Sequence, residues 1–120
     1  MTGDINIAPE ARDIYSPELF AGVPSFHPEE HRRWAQMVSW GLQDAMRDRV
    51  KPGTYTFWDY RGGAFYRNKG MRIDHFLVTE AIERRVVSTM VHRNWRKKRT
   101  NADGESLTAS DHAPVELVLG

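Results

Sequence analysis

A charged pair stands in a run whose neighbours read as buried, Arg72-Ile73-Asp74-His75-Phe76-Leu77-Val78. A carboxylate buried among such neighbours is costly unless a partner satisfies it. Any fold this chain adopts must therefore bring a cation or an imidazole to Asp74. Alternation along a strand puts Arg72 on the same face as Asp74 and His75 on the opposite one. Arg72 is one candidate partner and an imidazole from elsewhere is the other. His75 itself reads as a satisfied core or surface histidine.

Two further polar groups stand at the edges of apolar runs: Gly3-Asp4-Ile5-Asn6 and Ser110-Asp111-His112-Ala113-Pro114-Val115. On a strand, Asp4 and Asn6 project together. A carboxylate there can take a proton from water while a carboxamide holds a phosphate oxygen; Asp-X-Asn before a proline is equally ordinary turn chemistry. Asp111 and His112 are adjacent, so they reach one site only if the backbone turns there. Pro114 permits that by restricting Ala113. In the arrangement that joins the groups, the Asp74 carboxylate orients the His112 ring. Asp111 then faces a divalent metal or the attacking water. With no cysteine in the chain, thiolate metal sites and disulfides are excluded, and hard oxygen ligands favour magnesium, with manganese as the alternative.

The 120 residues suit one domain, 1–120, with a single core. The apolar fraction of 40%, with four Trp and five Phe, argues for folding rather than disorder. Residues 1–50 hold five basic against eight acidic side chains, and residues 51–120 twelve against eight. A mildly basic C-terminal part suits a polyanion. No apolar run reaches membrane-spanning length and no signal-peptide pattern opens the chain, so the expected setting is cytoplasmic, with no membrane partner.

Met1 to Pro9 reads as a strand running into a loop, and Ala11 to Phe26 as irregular loop. A helix is predicted from Ser25–Pro28, with Pro28 in its first turn and Glu29 and Glu30 at its positive end. Its apolar face is Trp34, Met37, Val38, Leu42, Ala45 and Met46, and Lys51-Pro52-Gly53 ends it. Strands are predicted at 55–58, 71–79, 86–91 and 115–119, with one helical turn over 81–85 and a long polar connection over 93–110. This order suits an α/β (α+β) layered fold with helices on one face of a mixed or mostly antiparallel sheet.

Aromatic and basic groups lie between the acids. Phe57 and Trp58, at a strand end, can stack on a base or fill the gap left by a missing one. Asn68 and Gly70 can approach a phosphate backbone. The run His92-Arg93-Asn94-Trp95-Arg96-Lys97-Lys98-Arg99 holds five basic side chains in the seven residues from Arg93. Arg96 and Lys97 are its candidate DNA contacts; a solvated loop is the plain alternative.

In order, Gly3-Asp4-Ile5-Asn6-Ile7-Ala8-Pro9, Ser39-Trp40-Gly41-Leu42-Gln43-Asp44, Thr56-Phe57-Trp58-Asp59-Tyr60-Arg61, Asn68-Lys69-Gly70-Met71-Arg72-Ile73-Asp74 and Ser110-Asp111-His112-Ala113-Pro114-Val115 resemble the C-terminal half of the exonuclease III family of DNA-repair nucleases. That family lies in the endonuclease/exonuclease/phosphatase superfamily. The resemblance implies half of a four-layer αββα sandwich and magnesium-dependent cleavage of duplex DNA at abasic sites or from 3′ ends. It implies that Asp4 activates water, Asn6 holds the scissile phosphate, and His112, oriented by Asp74, contacts that phosphate. Asp111 falls at or near the metal, Phe57 and Trp58 match the pair that recognises an abasic sugar, and Asn68 matches a backbone contact.

The family's N-terminal half, with its metal-binding Glu, has no counterpart in these residues. The expectation is that the chain alone has little activity. It is also expected to expose an apolar face that pairs with an N-terminal half or with a second copy. The stretch 93–109 looks longer and more basic than the family's usual connection. A DNA-binding remnant without catalysis is the competing reading. Action on a phospholipid or inositol phosphate is a third, and the Phe-Trp-Asp-Tyr-Arg segment favours DNA over it.

Overall fold

The central strand of the structure, a computed structural model, is β5 (Asp74–Val78), flanked by antiparallel neighbours on both sides. The structure describes residues 1–16, 23–60, 63–97, 99–100, 106–107 and 110–120. Strand β1 (Thr2–Asp4) lies along one edge of β5, with Asp4 opposite Asp74, and β2 (Gln43–Asp44) lies along the other. Strands β3 (Phe57–Trp58) and β4 (Gly70–Met71) form a second antiparallel pair. Strand β6 (Val86–Val91) pairs with the C-terminal strand β9 (Val115–Leu119), and the short β7 (Arg99–Thr100) with β8 (Ser106–Leu107).

The pairs are stitched together by single hydrogen bonds. Trp58 N donates to Asp111 O at 3.0 Å, Ala113 N to Thr56 O at 2.8 Å, and His92 N to Pro114 O at 2.8 Å. The segment leading into β9 thus runs beside β3 before it pairs with β6. The fold is mixed α+β with antiparallel pairing throughout the described strands.

Helix α1 spans Pro28–Ser39, with His27 as its N-cap: Nδ1 accepts from Glu29 N at 3.1 Å. Proline at the first position and acids in the first turn fit the orphan N–H groups there. The helix ends well before the expected Lys51-Pro52-Gly53. Trp40 closes the last turn and Gly41 takes φ +96°, a conformation that stops a helix at little cost only for glycine. Beyond it Gln43 and Asp44 pair with β5, and Ala45 and Met46 are buried through turns rather than along a helix face. The predicted strand 71–79 is likewise two strands, broken at Arg72-Ile73. The expected turn at 81–85 is α2 (Glu80–Glu83), and the strands at 86–91 and 115–119 form with those bounds.

Two small cores result. One gathers Tyr55, Trp58, Ala64, Phe65 and Ala113; the other gathers Ala8, Ile14, Met71 and Ile73. Beside the second, fully buried Arg72 bonds Asp13 Oδ1 at 3.0 Å and Asp44 Oδ2 at 2.6 Å. Parts of the predicted 11–26 loop and of the basic 93–109 connection, Lys98 included, lie outside the described residues. No described helix is long and apolar enough to cross a membrane.

Candidate active site

Thr56 is the pivot on which the site is built. Its buried hydroxyl oxygen accepts from Ile73 N at 3.0 Å and Asp74 N at 3.1 Å, the two amides where the predicted strand breaks. Its carbonyl accepts from Ala113 N. One residue therefore fixes the start of β5 against the backbone that carries His112. That is why Asp74 and His112, remote in sequence, meet: His112 Nδ1 lies 2.9 Å from Asp74 Oδ2. A carboxylate only accepts, so Nδ1 carries the proton and Nε2 is left for other work.

Nε2 faces two more carboxylates, Asp4 Oδ2 at 3.7 Å and Asp111 Oδ1 at 3.9 Å. Those spacings are too long for direct hydrogen bonds and suit groups that share a third partner. The turn that Pro114 permits therefore does bring Asp111 and His112 to one place. Phe57 bridges His112 through the backbone, and its ring meets the imidazole edge at 5.3 Å between centroids.

Asp4 and Asn6 come together by a turn rather than by strand alternation. Strand β1 ends at Asp4, whose Oδ1 accepts from Asn6 N at 2.9 Å, and Asn6 takes φ +62°. Asparagine tolerates that left-handed conformation better than most residues. The turn chemistry and the convergence on His112 thus coexist in one carboxylate.

The expected partner Arg72 is not bound to Asp74. The break at Arg72-Ile73 removes the strand alternation that put them on one face, and the guanidinium goes to Asp13, Asp44 and His75. Burial acts against charge on Asp44 and Arg72. The hydrogen bond and charge of Arg72 still hold Asp44 below the usual carboxylate range, and the two aspartates raise Arg72. Burial first, then the Arg72 charge, lowers His75. His75 is the satisfied core histidine expected, with Nε2 2.7 Å from Ile7 O.

The expected DNA contacts divide on burial. Trp58 is 0% exposed, and its indole donates to Asn68 Oδ1 at 3.1 Å. Asn68 spends its amide on Gly53 O at 3.1 Å. Gly70 is fixed by the same packing, since a Cβ there would lie 2.5 Å from Phe57 O and 2.7 Å from the indole. Arg96 is 7% exposed, donates to Trp58 O at 3.2 Å and lies over the Tyr60 and Phe65 rings. The side chains of Trp58 and Arg96 are spent on internal packing, and half-buried Asn68 is tied to Trp58 and Gly53. Lys97 is exposed. Phe57 is half-buried and lines a mostly apolar cavity of about 310 Å³ with Val23, Ala64, Gly70 and Met71, to which Asp59 and Lys69 add charged walls.

Residues that sequence reasoning missed are Thr56, Ser25, Asp13 and Asp44. The buried Arg72 was a signal for the two acids, since it needs carboxylates as Asp74 needs a cation. Nothing local marks Thr56.

For a divalent ion, ligand atoms of Asp4, Asp74 and His112 lie within 4.8 Å of one another. Asp74 Oδ2 is committed to the imidazole, which leaves the Asp4 and Asp111 carboxylates, 47% and 39% exposed, as open hard-oxygen donors. That donor set fits a cation that keeps several waters.

The site is thus a histidine pinned by one aspartate and turned toward two others, beside the Phe57 cavity. The Endonuclease/Exonuclease/phosphatase family model matches residues 1–112. The chain belongs to that family and, within it, to the exonuclease III group of DNA-repair nucleases. It is 31% identical over 122 residues to an exodeoxyribonuclease of Bacillus subtilis, covering 99% of this chain and 43% of that one. It is 33% identical to a DNA-(apurinic or apyrimidinic site) endonuclease of Arabidopsis thaliana, covering 98% and 36%. Among solved structures, a 3′-5′ exonuclease from Neisseria meningitidis superposes with a TM-score of 0.87 at 33% identity, covering 98% of this chain and 43% of that one. The chain thus spans less than half the length of these relatives.

Proposed function

We propose that this chain carries one wall of a magnesium-dependent phosphodiesterase site that acts on duplex DNA at abasic sites or 3′ ends. The observation that carries the reading is His112: its Nδ1 is held by Asp74 while Nε2 faces Asp4 and Asp111 across gaps wide enough for a shared partner. In this reading Asp4 takes the proton of the attacking water, and the Asn6 amide donates to a phosphate oxygen. His112 Nε2 contacts the phosphate from the opposite side as a general base or electrophile, its ring kept in one orientation by Asp74. Asp111 holds the metal, which when bound supplies charge neutralisation at the phosphate. The cavity beside Phe57 and Met71 is mostly apolar and small, as a sugar without its base requires. The names of the Arabidopsis and Bacillus relatives support abasic-site and exonuclease chemistry. A further solved Neisseria structure, described as a 3′ phosphatase, is bound to a product DNA hairpin.

For a DNA-binding remnant without catalysis, Arg93 and Arg96 of the basic run are engaged by aromatic rings, while Lys97 stays exposed. One experiment separates the cases. The purified chain alone, given magnesium and a duplex with one abasic site, is expected to bind without robust incision. Joined to the N-terminal segment of the Bacillus relative, it is expected to incise, and Asp111→Ala and His112→Ala each abolish that. Robust incision by the chain alone would refute the single-wall proposal. A folded chimera that stays silent would refute the nuclease reading.

A further inference from the structure

In the loop that carries Asn6, Asn6 N is held by Asp4 Oδ1, and Ile7 and Ala8 are held by groups outside the site. His75 Nε2 donates to Ile7 O at 2.7 Å, because a carbonyl only accepts. Its Nδ1 must then accept from Arg72 Nη1 at 3.2 Å, so the buried cation locks one neutral tautomer. Ala8 N donates to Ser25 O at 2.8 Å, and Ala8 O lies 2.9 Å from His31 Nε2 on α1. The backbone around Asn6 therefore has no freedom to choose which way its side chain points.

The rotation of the Asn6 side chain itself remains, and the Ser25 hydroxyl restrains it. The Ser25 hydroxyl, 6% exposed, donates to Asn6 Oδ1 at 3.0 Å. The carbonyl end of the amide is thereby tied to the interior. The NH2 end, with no partner among the described residues, is left on the exposed side. A phosphate oxygen needs a donor, and the amide flipped by a half-turn would present an acceptor to an anion.

We propose that Ser25 is the positioning residue that sets the Asn6 carboxamide donor-outward for a substrate phosphate. This rests on the reading of Asn6 as a phosphate donor under Proposed function. Ser25 touches no substrate itself; it acts through Asn6. Ser25 plays no part in capping α1, whose N-cap is His27.

The test uses the full 120-residue chain, labelled with 15N, and two readouts. In the first, without DNA, the side-chain NH2 of Asn6 is expected to be as rigid as a backbone amide, unlike that of exposed Asn94. Ser25→Ala should make it as mobile as Asn94 while the Ile7 and Ala8 backbone amides stay put, and Ser25→Thr, which keeps the hydroxyl, should restore rigidity. In the second, affinity for a duplex carrying a tetrahydrofuran abasic analogue should fall about three- to tenfold in Ser25→Ala, as expected for one hydrogen bond. Asn6→Ala should lower it at least as far.

An Asn6 amide already mobile in the parent chain overturns the proposal. So does an affinity lost in Asn6→Ala but unchanged in Ser25→Ala. Duplex affinity unaffected by Asn6→Ala would instead sink the phosphate role of Asn6, and the proposal built on it. That failure leaves a rigid amide in the first readout, which keeps the two failures distinct.

Discussion

At the scale of single residues, what organises this protein is the satisfaction of buried polar groups. Asp74 ends on an imidazole, Arg72 on two carboxylates, and Thr56 on two backbone amides that no strand ladder reaches. Removing the Thr56 hydroxyl leaves Ile73 N and Asp74 N buried without partners, and each stranded group costs about 1–3 kcal/mol. Thr56→Val, nearly equal in volume, is therefore expected to lower stability by at least about 2 kcal/mol in urea unfolding. Thr56→Ser, which keeps the oxygen, is expected to lose under about 1 kcal/mol. The sequence announced that Asp74 needed a partner but left Arg72 and an imidazole both open. The choice turned on a hydroxyl that looks like any strand threonine. Contacts of this kind are legible only once the chain has folded back on itself.

At the scale of elements, local signals were readable where local physics decides. Proline at the first turn and glutamates behind it mark the start of α1, and the two apolar runs 86–91 and 115–119 form strands with those bounds. The helix end was misread because Leu42, Ala45 and Met46 continue the periodicity of three and four while Gly41 and β2 pairing interrupt it. Tertiary pairing overrides pattern there.

Asp44, beyond that break, belongs to the network of Asp13, Arg72 and His75, which gives the elements a shared pH dependence. Burial and then the Arg72 charge hold the folded His75 below its ordinary 6.5. Its contribution is therefore complete above about pH 6.5 and fades as pH falls through the lower folded value. Asp44 is lowered from 3.8 by Arg72 against burial, so its contribution fades only in stronger acid. Stability in urea is expected to drop as pH falls below about 6.5. In His75→Gln, which can still donate to Ile7 O, that step should flatten while the loss below about pH 4 remains. A profile unaltered by His75→Gln across the same interval would show that another group is responsible.

At the scale of the whole molecule, the chain is too flat for its length. Its radius of gyration is 15.4 Å, where a compact chain of this size has about 13.6 Å. Its extents are 49 × 38 × 20 Å, and the thin axis leaves room for only about two packed layers. The β6–β9 pair shows the consequence. A two-stranded ribbon is marginal unless something covers a face, yet Val87 and Met90 are 65% and 54% exposed, with Val118 and Leu119 at 40%. The solved Neisseria relative has more than half its length outside the part this chain matches, so polypeptide is available in that fold to cover such surface. Without it, a second copy is the available cover. The 120-residue chain is therefore expected to associate as its concentration rises, read as a mass increase by light scattering across a dilution series. Val87→Lys combined with Met90→Lys should hold it monomeric with unchanged circular dichroism, because both side chains already face solvent. A parent chain that stays monomeric throughout the series, with a cooperative unfolding transition, would show that the ribbon is stable uncovered. The search for a covering partner would then lose its physical motive.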